Sequence, residues 1–395
     1  MGFVPAFIKN PVNKEKFTLK KFYTKDLSLN EQNTFDENGF KVKVFHLPED
    51  PDSANRIRIS TPKVEVEILP SKGFSVSQAW INSQPVFWEA PINLPNTETL
   101  DLWSDEVCIN GSPAPGYTFL KTLVGGIEFY GLKNWGMPVE KDGRMELLHG
   151  ETSNIPIDEL SFSMEAEKCT VEASFICRTF EGNSDLPWYE RGEALFKVTK
   201  RIILTKDSLG FKLEDTIENI SNRSIIPDWG YHITFRPKPG ARYYVPATKA
   251  EYRGGAPLPE GYTIWQPSPD NKQRIEHGVI YKNLTSYTPE NSFTSELIYP
   301  EGSTIKVKTT SAPYFQTWFC SGGAETTEFT WKNGEPVFHR NWDGIGIEFG
   351  ASALDHDENT DPSVVPEKAL EHGEIRQIIV DIVLVNAKEA KSGIN

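Results

Sequence analysis

Two histidines stand where a side chain could transfer protons. His149 lies in ELLHGETSNIP, where an apolar pair leads into His-Gly and then a polar turn, so its imidazole is predicted at a strand end facing a loop. His232 lies in IPDWGYHITFRP beside Asp228 and Trp229. Histidine changes its charge near neutral pH and suits general acid or base chemistry. A loop histidine bonded to backbone and a core histidine beside aromatic rings are the competing interpretations.

Aromatic and polar groups alternate around the second histidine. In a regular strand, Trp229 and Tyr231 share one face and Asp228 and His232 the other. Such a mixture suits a sugar, because its C–H faces stack on rings while its hydroxyls need polar partners.

An acid lies inside an otherwise small or apolar segment, GIGIEFG (344–350). If Glu348 is buried, its desolvation must be offset by a partner or ligand, which is typical of functional acids. The alternative is a two-sided strand, with Glu348 facing solvent and Ile345 and Ile347 facing the core.

The sequence motifs give little support for a metal site, for nucleotide binding or for serine-hydrolase chemistry. His149, His232, His339 and Glu348 could share a metal only across long sequence separations, since no H-x-H, H-x-x-x-H or C-x-x-C spacing occurs. No phosphate-binding glycine motif and no G-x-S-x-G motif occurs either. We therefore predict no metal and no cofactor.

The elements that position these residues are predicted to be strands. Period-two alternation recurs in KVEVEIL, TVEASFICRTF and STIKVKT, and 28 prolines with 29 glycines interrupt any helical pattern. We expect an all-β protein of large antiparallel sheets stacked face to face, with few short helices. Residues 1–55 are predicted to form an N-terminal arm on a single domain spanning 56–395.

Composition limits the partners of the 395-residue chain. The net charge of -14 and the dispersed lysines and arginines argue against nucleic acid and anionic membranes. The four cysteines are too few for a disulfide framework in a chain of this length. The sequence shows neither the apolar run of a signal peptide nor a membrane span, so a cytoplasmic location is expected. The oligomeric state cannot be predicted.

Taken in order, six segments resemble the aldose 1-epimerase superfamily of galactose mutarotase-like sandwiches, and within it a branch of unknown function. These segments are LPSKGFSVSQAWINSQPVFWEAP (69–91), GYTFLKTLVGGIEFYGLKNWGMP (116–138), LHGETSNIP (148–156), DWGYHITFRP (228–237), GIGIEFGAS (344–352) and LEHGEIRQIIVDI (370–382). The resemblance implies a β-supersandwich that binds a sugar, with His149 and His232 in the site and Glu348 as the catalytic base.

The resemblance also implies a reaction. Glu348 would take the proton of the anomeric hydroxyl while His232 protonates the ring oxygen, with His149 as a substrate contact. Further substrate contacts are predicted at Lys72, Asn154, Asp228, Trp229 and Arg340.

Departures from the branch's pattern keep other functions open. The branch usually has Arg-Gly-Met where Lys72-Gly73-Phe74 stands, arginine in place of Glu151, and asparagine in place of Thr234. Two alternatives follow: a sugar-binding protein without catalysis, and an isomerase, epimerase or lyase acting on a keto- or uronate-type sugar.

Overall fold

The structure is a computed structural model that describes most of the chain. It covers residues 33–45, 56–91, 100–103, 106–141, 143–182, 185–253, 255–270, 272, 274–284, 292–310, 312–352 and 367–385, with the backbone of Ile8–Lys9 and Lys16–Lys20. Over these residues the chain is built almost entirely of strands. Its helical elements are α1 (Phe119–Thr122) and two 3-10 turns, Thr152–Asn154 and Trp188–Glu190.

The strands form two large sheets and two small ones. In chain order they are β1 (Ile8–Lys9), β2 (Lys16–Lys20), β3 (Asn33–Glu37), β4 (Phe40–Phe45), β5 (Arg56–Ser60), β6 (Val64–Leu69), β7 (Ser75–Ile81), β8 (Gln84–Pro85), β9 (Val107–Ile109), β10 (Ser112–Pro113), β11 (Ile127–Leu132), β12 (Val139–Lys141), β13 (Arg144–Glu146), β14 (Glu159–Met164), β15 (Lys168–Arg178), β16 (Ala194–Thr205), β17 (Gly210–Asn219), β18 (Asp228–Phe235), β19 (Arg242–Tyr244), β20 (Ala247–Tyr252), β21 (Ile275–Leu284), β22 (Ser292–Ile298), β23 (Thr304–Thr310), β24 (Tyr314–Ser321), β25 (Phe329–Trp331), β26 (Gly344–Gly350) and β27 (Ile375–Val385).

The two large sheets are antiparallel. The ten-stranded sheet has the order β1-β2-β14-β15-β16-β17-β27-β23-β22-β19. The twelve-stranded sheet has the order β20-β21-β24-β26-β18-β11-β7-β6-β5-β4-β3, with β8 paired to β7. The small sheets are β10-β9-β25 and β12-β13. The expectation of an all-β fold with large antiparallel sheets and few helices is confirmed.

The main core lies between the two large sheets, because their strands alternate buried apolar and outward residues. In β17, for example, Phe211, Leu213 and Ile217 are buried and belong to the core cluster. Rings from the two sheets meet directly, as between Phe293 of β22 and Phe315 of β24, whose centroids lie 5.2 Å apart. Burial of this size dominates the folding free energy.

A second apolar cluster covers the other face of the twelve-stranded sheet. It is formed by residues from the segments before and after β11 and before β26, among them Trp88, Phe119, Trp135 and Phe338. Gly230 makes room for it, since a Cβ there would lie 2.1 Å from the Trp135 ring. The central strands of this sheet are therefore buried on both faces, and the space between sheet and cluster becomes a cavity.

The proposed N-terminal arm stays a prediction. Of residues 1–55, the structure describes 33–45, which form β3, β4 and their turn at one end of the twelve-stranded sheet, and the backbone of β1 and β2, which end the other sheet. The remaining residues lie outside the described part. Within the described part of the chain, no helix is long and apolar enough to cross a membrane.

Candidate functional site

A cavity of about 330 Å³ lies on the outer face of the twelve-stranded sheet. This volume falls at the lower end of the range typical of small-molecule sites, roughly 300–1,000 Å³. Its floor is made by β18, β24 and β26. Its aromatic walls are Tyr117, Phe119, Trp318, Phe329 and Trp342.

Strand register brings the candidate acid and one candidate histidine side by side. His232 of β18 lies directly opposite Glu348 of β26, and Glu348 lies directly opposite Gln316 of β24. Residues paired in this way project from the same face of a sheet. Ile345 and Ile347 project from the other face into the main core, and Glu348 is only 2% exposed. The interpretation of Glu348 as a solvent-facing residue is therefore wrong.

The side chains of this row are joined by hydrogen bonds. His232 Nε2 lies 3.3 Å from Glu348 Oε1. The Gln316 amide donates to Glu348 Oε2, and the Tyr314 hydroxyl donates to the Gln316 carbonyl oxygen. Because Tyr314 occupies that oxygen, the amide nitrogen of Gln316 must face the carboxylate.

Glu348 is held in its ionised form. Burial raises the pKa of its carboxyl, but the hydrogen bond and charge of His232, with smaller contributions from His149 and Arg253, lower the pKa below its ordinary value. A buried carboxylate with such partners can accept a proton from a ligand at neutral pH.

His149 enters the cavity from the loop after β13 with an unusual backbone. Its φ of 59° lies in the left-handed region, which a residue other than glycine seldom adopts. Nδ1 lies 2.9 Å from the carbonyl oxygen of Trp135, and its ring stacks on Trp135 with centroids 5.4 Å apart. Backbone strain at such a position is common in functional sites.

The tautomer of His149 follows from these contacts. Burial lowers the pKa of His149 to about 4, so the ring is neutral at neutral pH. A carbonyl only accepts, so Nδ1 carries the proton and donates to Trp135. Nε2 is left as a hydrogen-bond acceptor, and the ring centroid lies 6.0 Å from that of His232.

Small residues beside the row keep the cavity open. Thr234 Oγ1 lies 3.1 Å from His232 Nδ1, so this hydroxyl orients the ring from the side opposite Glu348. Gly346 pairs with both Thr234 and Trp318 across the sheet. A Cβ at Gly346 would lie 3.6 Å from His232 Cε1, inside the space beside the acid and base.

The five other predicted contacts do not line the cavity. Lys72 is fully buried and donates to Asn154 Oδ1 at 2.7 Å. Asp228 accepts from the Trp135 backbone at 2.9 Å and thereby holds the residue on which His149 stacks. Trp229 faces the main core, and Arg340 donates to two backbone carbonyls.

The residues that depart from the family pattern, at positions 72, 151 and 234, lie in different surroundings. Thr234 lines the cavity. Glu151 does not: it is fully buried, with Lys133 Nζ 3.6 Å away, and burial raises its pKa. Lys72 is likewise buried, 3.5 Å from Glu128. Only the change at Thr234 therefore alters the surface that a ligand would contact.

Several lining residues were missed by sequence reasoning. Four charges line the cavity, those of Arg253, Arg274, Glu276 and Glu328, and Trp318 forms part of its aromatic wall. The aromatic residues of YFQTWFC were the available signal for β24, since aromatic residues are enriched in strands. Among the described residues, no three His, Cys, Asp or Glu side chains are grouped as metal ligands would be.

A protein family matches more than half of the chain. A family model described as "Domain of unknown function (DUF4432)" matches residues 52–325. Among proteins with curated descriptions, none matches the sequence.

Solved structures similar to this chain share its fold. One is a "putative aldose 1-epimerase" from Klebsiella pneumoniae, with TM-score 0.60, 15% identity, and coverage of 97% of this chain and 91% of that one. Another is a galactose mutarotase-like protein from Clostridium acetobutylicum, with TM-score 0.54, 13% identity, and coverage of 87% and 98%. At these identities the similarity shows that the fold is the galactose mutarotase-like sandwich.

Proposed function

Since the chain belongs to the family described as Domain of unknown function (DUF4432), which leaves its activity open, we propose from the site that it interconverts the anomers of a sugar. The pairing of ionised Glu348 with His232 across two strands, inside a partly enclosed cavity, is the observation that supports this proposal most directly. The names of the similar structures, "putative aldose 1-epimerase" and "galactose mutarotase-like protein", support the same reaction.

The chemistry requires one base and one acid at neighbouring atoms. The anomeric hydroxyl and the ring oxygen are bonded to the same carbon, so their partners must also be adjacent, as Glu348 Oε1 and His232 Nε2 are at 3.3 Å. Glu348 takes the hydroxyl proton while protonated His232 gives one to the ring oxygen. The C1–O5 bond breaks and an open-chain aldehyde forms.

Ring closure reverses these roles. After rotation about the C1–C2 bond, His232 takes the proton back from the O5 hydroxyl as O5 attacks C1, and Glu348 returns its proton to the former carbonyl oxygen. No net proton is consumed, so no cofactor is needed. His149, with Nε2 as an acceptor, would hold a substrate hydroxyl.

Polarimetry of freshly dissolved sugars tests this proposal. Glu348→Gln and His232→Ala should each lower the enzymatic rate of mutarotation by about 10²–10⁴-fold, the usual contribution of a positioned acid or base. Glu301→Gln, which removes a surface carboxylate paired with Lys238, and His372→Ala, which removes a histidine outside the cavity, serve as matched controls.

Two outcomes would contradict the mechanism. Full activity in either site variant, with circular dichroism showing a native fold, would exclude that residue as acid or base. Wild-type protein that binds sugars without accelerating their mutarotation would instead favour a sugar-binding protein without catalysis.

A further inference from the structure

The cavity has a second polar end, away from His232 and Glu348. Glu276 of β21 pairs with Cys320 of β24, which pairs with Gly344 of β26. Gly344 precedes Glu348 by four residues on the same strand, which corresponds to roughly 13 Å of strand. Arg274 and Glu328 lie beside Glu276 and also line the cavity.

Arg274 is paired with carboxylates through all three of its guanidinium nitrogens. Its Nε and Nη2 donate to the two oxygens of Glu328, each at 3.0 Å, and its Nη1 lies 2.5 Å from Glu276. Bidentate pairing of this kind uses the planar donor edge that a guanidinium would otherwise offer to a phosphate or carboxylate.

The second guanidinium of the lining is also engaged. Arg253 lies over the ring of Trp318, with its Cζ 4.8 Å from the ring centroid, and one of its nitrogens contacts the Met137 sulfur. Such a cation–π contact directs the charge toward the aromatic wall.

The charges at this end of the cavity sum to an excess of negative charge. Two carboxylates, of Glu276 and Glu328, face one guanidinium, of Arg274, while Glu348 lies beside His232, the proposed acid. An anionic group at this end of the partly enclosed cavity would meet net repulsion, which is strong where the dielectric constant is low. A sugar hydroxyl, by contrast, can donate to a carboxylate and accept from a guanidinium at once.

We infer that the triad Arg274, Glu276 and Glu328 determines specificity: it binds hydroxyls of an uncharged sugar and excludes sugars that carry a carboxylate or phosphate. The inference rests on the proposed function, because it assigns the substrate class of that same cavity. Glu328 is the decisive member, since it covers two of the donors of Arg274.

Titration calorimetry on the full chain measures this preference without relying on turnover. The probes are D-glucose, D-galactose and D-mannose, each beside its uronate and its 6-phosphate. For the sugar that binds best, the wild-type protein should bind both anionic forms at least about ten-fold more weakly than the neutral parent.

Glu328→Gln removes one negative charge while keeping the size of the side chain. The substitution leaves one carboxylate and one guanidinium among Arg274, Glu276 and Glu328, and it loosens Arg274, so the ratio of anionic to neutral binding should rise by about ten-fold. Glu325→Gln is the matched control: it removes a neighbouring carboxylate that is 57% exposed and pairs with Lys272, and it should leave the ratio unchanged.

The outcomes separate this inference from the proposed function. Wild-type preference for an anionic form, or an unchanged ratio in folded Glu328→Gln, would overturn the specificity role alone. Binding of no sugar at all would overturn both. The wild-type ranking needs no variant, so it stands as a test even if Glu328→Gln fails to fold.

Discussion

Strand β18 separates two buried polar groups of opposite kind. On its inner face, the Tyr231 hydroxyl donates to Asp215, which pairs with Lys200 at 2.7 Å; Lys200 and Asp215 are 2% and 0% exposed. On its outer face, His232 pairs with Glu348 beside the cavity. Both groups are desolvated and hydrogen-bonded, yet only the outer one borders space that a ligand could enter. Burial and pairing alone therefore do not identify a site.

The inner pair should act on stability alone. Lys200→Ala leaves Asp215 buried without its cation, which is expected to lower the free energy of unfolding by about 3–5 kcal/mol. Denaturant titration measures this loss. Lys212→Ala is the matched control, because Lys212 pairs with Glu214 on a more exposed surface, where the loss should stay under about 1 kcal/mol.

Lys200→Ala should leave catalysis unchanged if the inner face of β18 serves stability alone. The mutarotation rate per folded molecule should equal that of the wild-type protein, because the inner group does not border the cavity. A large rate loss in a folded variant would show that the two faces of β18 are coupled.

On the outer face, His149 should make stability depend on pH. Its pKa is about 4 in the folded protein against an ordinary 6.5, so between these values the unfolded chain binds more protons. Stability from this residue is therefore complete above pH 6.5 and is lost as the pH falls toward 4, by about 3 kcal/mol in all.

His149→Asn isolates this effect. Asparagine tolerates the left-handed backbone that position 149 requires, and it does not titrate. Denaturant titrations at several pH values should show a shallower loss of stability between pH 6.5 and 4 in the variant. An identical slope in both proteins would mean that His149 is not the group responsible.

Two glycines differ in the space beside them: Gly346 borders the cavity, whereas Gly230 is packed against Trp135. Gly346→Ala places a methyl group 3.3 Å from Trp318 Cβ and beside His232, so kcat/KM should fall by about ten-fold while the protein stays folded. Gly230→Ala drives a Cβ to 2.1 Å from the Trp135 ring and should prevent native folding. Thermal unfolding and polarimetry distinguish the two, and a fully active Gly346→Ala would show that this space is unused.

Sequence patterns predicted the parts of the site that depend on local order. Alternation placed Trp229 and Tyr231 opposite His232, and an acid among small apolar residues marked Glu348. The strand holding Gln316 was not predicted, because β24 is buried on both faces and its apolar residues obscure the alternation.

Long-range contacts explain the remaining differences. The environment of Lys72 is set by Asn154, 82 residues away, and no local pattern distinguishes a buried lysine from one that binds ligand. Arg274 and Glu328 likewise meet across 54 residues, and only the paired register of β21 and β24 brings Glu276 beside the cavity.

The smallest expected effect concerns a single hydroxyl. Thr234→Val keeps the shape of the side chain but removes the bond to His232 Nδ1, so the ring of the proposed acid loses one of its two fixed partners. A net hydrogen bond is worth about 0.5–1.5 kcal/mol, so kcat should fall by about five-fold. Thr317→Val is the control on the inner face, where the hydroxyl contacts Tyr281. It should lower stability by a similar energy and leave kcat unchanged. Equal effects of the two substitutions on kcat would mean that Thr234 acts only through packing, and the orientation of His232 would then depend on Glu348 alone.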